Sequence, residues 1–340
     1  MALKIDVFNH IFPERFFARL QEVVVNRGAI KRWLHIPFLH NLDVRFRRLE
    51  EFGPDYRQIL SLSAPPIESI NPDRQITLDL AAMANDTMAE LVARHPDRFP
   101  GFIASLPMNH PDESAAEMQR AAASLGAIGF QVFSNVNGLP LDDARFFPLF
   151  ETADRLRRPI LLHPARGAGF ADYPGEAKSK YEIWWTFGWP YETSAAMQRL
   201  VFAKLFDRLP SIRILAHHLG AMIPYFEGRI GYGLDQLGTR TADEDYGALL
   251  ASLKKRPYDY FKMFWGDTAV FGSRAATECG LKFFGSDQVV FASDAPFDPE
   301  GGPMYIRETI KVIDGLEISD ADRQKIYWRN AERLFGRTFQ

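Results

Sequence analysis

The chain has 340 residues, 46% of them hydrophobic, a length that suits one large domain and would also fit two small ones. The 40 Lys and Arg against 43 Asp and Glu leave a formal net charge of -3, which excludes the concentrated basic footprint of a nucleic-acid binder or of a protein held on an anionic membrane. Cys279 is the only cysteine, so an intrachain disulfide and a thiol-based metal site are both excluded, and a reducing, cytoplasmic setting is expected. The opening MALKIDVFNHIFPERFF has no basic stretch leading into a continuous apolar run and no small-residue cleavage site, and nowhere do about 18 apolar residues follow one another. A soluble chain acting on a small molecule is the expectation.

Short apolar runs alternate with helical stretches along the whole sequence. The runs are Lys4 to Phe8, Ile59 to Ser63, Arg98 to Leu106, Ala127 to Phe133, Pro159 to His163, Ile212 to His218, Phe261 to Asp267 and Val289 to Asp294. Between them, Asn71-Pro72-Asp73 opens an amphipathic stretch to about Arg94, and Pro111-Asp112-Glu113 starts another that ends near Gly126. Strands alternating with helices make parallel βα units, and eight of them close a barrel. The predicted fold is an α/β (β/α)₈ TIM barrel, residues 1–340 forming one domain, with extended loops after strands one and five. Those loops, residues 22–46 and 165–191, exceed the usual βα connection and are expected to wall an active site.

Functional groups of such a barrel lie at the C-terminal ends of its strands. Strand one ends in Phe8-Asn9-His10, strand five in Leu162-His163-Pro164, strand six in Ala216-His217-His218 and strand eight in Ser293-Asp294-Ala295-Pro296. A single histidine at a strand end is ordinarily structural, and an aspartate in such a turn ordinarily a cap. Imidazoles and a carboxylate gathered in one mouth need partners, however, and a divalent cation supplies them. Zn²⁺, Mn²⁺ and Fe²⁺ all suit such a donor set. The segment from Phe170 through Trp184, Trp185 and Trp189 to Tyr191 offers flat apolar walls for a planar substrate, or simply packs its loop. Arg166, three residues after His163, either faces a substrate carboxylate or is a loop charge.

The motifs IDVFNHIFP, LLHPARG, ILAHHLGAMIPYFEGR and FASDAPF resemble the strand-end motifs of the amidohydrolase-related decarboxylases, the group containing aminocarboxymuconate semialdehyde decarboxylase and the γ-resorcylate and carboxyvanillate decarboxylases. The resemblance implies that His10, His163 and Asp294 are metal ligands and that His218 is the catalytic histidine, with Asp294 sharing in catalysis. Alternation along the strand is then expected to turn His217 away from the barrel axis. The resemblance further implies that Trp185 lines the substrate pocket. It also implies that Arg229 reaches a substrate carboxylate across a subunit interface, hence a homodimer.

Two positions depart from the group. Phe8 stands where the first histidine of a His-x-His is expected, facing the same way as His10, and cannot bind a metal. Strand four, Gly129 to Phe133, lacks the lysine that bridges two metals in binuclear relatives, so one ion is expected. Asp6 is the next carboxylate expected to face inward, in a structural role. The residues leave three readings open: decarboxylation of a small aromatic or unsaturated carboxylic acid, hydrolysis or hydration by the same site, and a metal-free binding barrel that lost its ion through Phe8.

Overall fold

The computed structural model describes residues 3–339. Eight parallel strands follow one another in space in chain order: β1 (Lys4–Ile11), β2 (Tyr56–Leu62), β3 (Gly101–Ala104), β4 (Gly129–Phe133), β5 (Ile160–His163), β6 (Ile214–Ala216), β7 (Trp265–Asp267) and β8 (Val289–Val290). Three backbone bonds join the last strand to the first: Val7 N–H to Phe291 O at 3.0 Å, Asp294 N–H to Phe8 O at 3.0 Å and His10 N–H to Ala295 O at 2.8 Å. They close the sheet into the expected (β/α)₈ barrel and set the ends of β1 and β8 side by side.

The strands alternate faces with a period of two. Ile59, Ile103, Leu161, Leu215 and Val290 fill the interior, which helix Asn330–Phe335 caps at its N-terminal end with Leu334 and Phe335. Their neighbours Leu60, Phe102, Leu162, Ile214 and Phe291 face outward and pack against the helical shell. The 21-residue helix Arg74–Arg94 starts on Asp73, whose carboxylate accepts the Ile76 N–H, and helix Pro111–Ser124 carries Pro111 in its first turn. Among the described residues no helix is long and apolar enough to cross a membrane.

Two elements differ from their sequence expectation. Pro257 at a first turn makes residues Pro257–Phe261 a helix, so β7 begins only at Trp265. In β1 the pairing with β2 runs Asp6 to Gln58 and then Asn9 to Leu60, three residues against two. This bulge turns Val7 and Phe8 both inward and leaves Asp6 outside, where Tyr56 and Ser293 each hydrogen-bond to its carboxylate at 2.5 Å.

Candidate metal centre

His10, on the last turn of β1, is fully buried, and its Nδ1 lies 2.9 Å from Leu62 O at the end of β2. His163 closes β5 with Nδ1 2.7 Å from Pro164 O. His217 follows β6 directly, and its Nδ1 lies 2.6 Å from Oδ2 of Asp267, the last residue of β7. Each Nδ1 therefore faces an acceptor and carries a proton, so that in its neutral form each ring turns the Nε2 lone pair inward. The ligand nitrogens of the three rings lie within 4.8 Å of one another.

Asp294 completes the cluster. Its Oδ1 lies 3.1 Å from His10 Nε2 and 3.4 Å from His217 Nε2, and its Oδ2 lies 3.4 Å from His218 Nε2. His10 Nε2 nevertheless makes no hydrogen bond of acceptable geometry. Lone pairs of buried imidazoles converging on a carboxylate repel unless a proton or a cation stands between them. An orphaned nitrogen among converging nitrogen and oxygen donors fits a single divalent ion, at the spacing that imidazole and carboxylate ligands require.

Burial and the neighbouring His217 and His10 hold His163 well below the usual imidazole range. Burial opposes charge on His217 as well, but the Asp267 and Asp294 carboxylates outweigh it and push this group up to about 9. An ion binding at that nitrogen displaces a proton. Burial also opposes the charge on Asp294, yet the adjoining imidazoles of His10, His217 and His218 keep its carboxyl well below the usual carboxylate range.

The expectation that His217 turns away from the axis is wrong. Leu215 lies inside the barrel, so two residues on His217 does too, while the backbone turns left-handed at His218 and Leu219 (φ 56° and 55°) and carries His218 to the rim. Counting from the interior leucine would have found this. Phe8 faces the cluster as expected, and its ring stacks on His217 with centroids 3.9 Å apart and planes 24° apart. Asp6, expected inside, is outside because of the bulge.

The long loops reach the cluster through single aromatic rings. Phe297, beyond β8, lies 5.4 Å from the His10 ring and 4.7 Å from Trp33 in the first loop. Trp189 meets His163 edge-on at 5.5 Å, and its Nε1 donates to Arg166 O at 3.0 Å. Trp185 instead donates to Glu182 at 3.0 Å, so Trp189, one helical turn on, is the tryptophan that touches the cluster. Arg166 pairs with Glu192 at 3.0 Å, which pins the loop to helix Gly188–Phe202. Arg229 is exposed, away from the histidines, with its guanidinium 5.8 Å over Phe226.

Known proteins with this architecture are similar along nearly the whole chain. The 2-amino-3-carboxymuconate-6-semialdehyde decarboxylase of Dictyostelium discoideum is 31% identical over 98% of this chain and 92% of its own. A gamma-resorcylate decarboxylase of Polaromonas sp. (strain JS666) is 32% identical over 95% of this chain and 97% of its own. The solved structure of a dihydroxybenzoic acid decarboxylase from Polaromonas sp. JS666, with bound manganese and the inhibitor 2-nitroresorcinol, superposes with a TM-score of 0.77 at 29% identity, covering 99% of this chain and 97% of that one. The amidohydrolase family model matches residues 73–337, from the first long helix through every strand end from β3 to β8, and the chain belongs to that family.

Proposed function

We propose that this chain is a metal-dependent, non-oxidative decarboxylase of a small aromatic or unsaturated carboxylic acid. The observation that carries the reading is the convergence of His10, His163, His217 and Asp294 in a buried mouth, with His10 Nε2 left without a hydrogen bond, in a chain to which the two relatives named above, both decarboxylases, are similar. These three residues hold the ion, Zn²⁺ or Mn²⁺. When bound, it supplies a fixed positive charge facing the oxygens of an acidic substrate.

The chain's own groups supply the proton. His218 stands at the rim with Nε2 toward Asp294 Oδ2, and burial together with the neighbouring His217 lowers its pKa. From that place its Nε2, once protonated, can carry a proton to the substrate carbon that bears the carboxylate. The carbon–carboxylate bond then breaks, its electron pair restores the conjugation lost on protonation, and CO₂ leaves. Asp294 orients His218 and shares its proton. Trp189, rather than Trp185, offers the wall beside His163. Arg166, held by Glu192 and accepting from Trp189 Nε1 at its carbonyl, keeps that wall in place and is the loop group to meet a substrate carboxylate.

The whole chain acts as one domain, as a cytoplasmic homodimer. Tyr225 and Tyr232 are 80% and 79% exposed on the turn that carries Arg229, a surface suited to a second copy whose mouth Arg229 enters to anchor the acid. Incubation with hydroxybenzoates and muconate-like acids tests the chemistry: release of CO₂ is expected, and hydrolysis of lactones without CO₂ would overturn it. Sedimentation of the native chain should give twice the 38.7 kDa chain mass.

A further inference from the structure

We infer that His217 is a fourth protein ligand of the metal centre, taking over from β6 the coordination that Phe8 removes from β1. The inference rests on the metal-dependent reading above. Three observations carry it. His217 is fully buried on the interior face, its ring centroid 5.2 Å from that of His163 and its ligand nitrogen within 4.8 Å of those of His10 and His163. Its tautomer is set in the same way as theirs: Nδ1 is taken up by Asp267 at 2.6 Å, as theirs are by Leu62 O and Pro164 O, so Nε2 is the coordinating atom and faces Asp294 Oδ1 at 3.4 Å. A carboxylate on the far nitrogen also makes an imidazole a stronger donor, the usual arrangement behind a metal-bound histidine.

The third observation is Phe8. Its ring, with no exposed surface, lies flat on the His217 imidazole at 3.9 Å, so it fills the space into which that ring could swing. The residue that cannot bind metal thereby fixes the one that can. His218, whose nitrogen also lies within 4.8 Å of donor atoms of His217 and Asp294, differs in its burial and its place. It stands at the rim on a left-handed turn, and its side chain is 13% exposed. The ligand set becomes His10, His163, His217 and Asp294, three neutral imidazoles and one carboxylate, with His218 left free to move protons.

Metal affinity separates this inference from the reading beneath it. Wild-type protein, His10→Ala, His163→Ala, His217→Ala and Asp267→Asn are stripped, titrated with Zn²⁺ and with Mn²⁺ against a chelator, and checked for folding by circular dichroism of the metal-free forms. His217→Ala should lose affinity as steeply as His10→Ala, by 100-fold or more, and Asp267→Asn should lose about 10- to 100-fold. In ¹⁵N-histidine-labelled wild type, Zn²⁺ should shift the Nε2 resonance of His217 together with those of His10 and His163, which reads coordination without any substitution. If His217→Ala binds like wild type while His10→Ala and His163→Ala do not, or if the His217 resonance stays in place while the other two move, this inference fails and the metal reading stands. A wild-type chain that takes up no ion overturns both.

Discussion

At the scale of single residues, the centre depends on where each imidazole spends its one proton. With Nδ1 bonded outward in His10, His163 and His217, the inward nitrogens converge on one another and on the Asp294 carboxylate, where a cation or an added proton relieves their repulsion. Asp294→Ala or His163→Ala should therefore remove metal and activity together, read by elemental analysis and turnover on one preparation. Unchanged metal content in both variants would place the centre elsewhere. His218→Ala should lower kcat by about 10²- to 10⁴-fold, the usual share of a general acid, while the ion stays bound. Full activity in that variant would reject its role. His10, His163 and Asp294 were legible from their strand-end positions, whereas His217 was not, because the register of β6 has to be counted from Leu215 and the left-handed turn at His218 leaves no mark in residue type. Trp189 was hidden among similar aromatic residues that composition cannot rank.

The junction of β1 and β2 shows at the scale of elements how much of the site is held from outside the barrel. Arg45, with no exposed surface, donates to Gln58 at 2.9 Å, to His10 O at 2.8 Å and to Asn9 Oδ1 at 2.6 Å, so helix Leu42–Leu49 grips the strand just where it delivers His10. Arg45→Ala would strand these buried acceptors and should cost about 3 kcal/mol or more, measured by urea unfolding. Asp6, on the outer side of the same bulge, is raised to about 6 by burial, against the lowering effect of its bonds from Ser293 and Tyr56. Its folded-state pKa lies above the unfolded value, so its contribution to stability is fully present below about pH 4 and is lost as pH rises through about 6. Asp6→Asn should flatten that part of the stability–pH curve, and an unchanged slope would contradict the assignment. An extra residue within a strand does not disturb its apolar content, so the β1 bulge could not be read from the sequence. The start of β7 was misread for a related reason: a short apolar run beginning at Phe261 fits a buried strand and a buried helical turn equally well.

For the molecule as a whole, the order of the eight strands was legible because each βα unit repeats one simple rhythm, and barrel closure then brings residues 10, 163, 217 and 294 to one mouth. The two long loops contribute Trp33 and Trp189, and the turn that carries Arg229 exposes Tyr225 and Tyr232. Exchanging Arg229 for Ala should raise KM for an acidic substrate more than it lowers kcat, because a remote anchor binds ground and transition states alike. Decarboxylation by this barrel is proposed to depend on one ion in this mouth. This dependence is tested most directly by measuring metal content and CO₂ release from hydroxybenzoic and muconate-like acids on one sample, before chelation, after chelation and after return of Mn²⁺ or Zn²⁺. CO₂ release should vanish with the ion and return at about one ion per chain, as expected of a mononuclear Lewis-acid site. Undiminished release from the metal-free protein would contradict it.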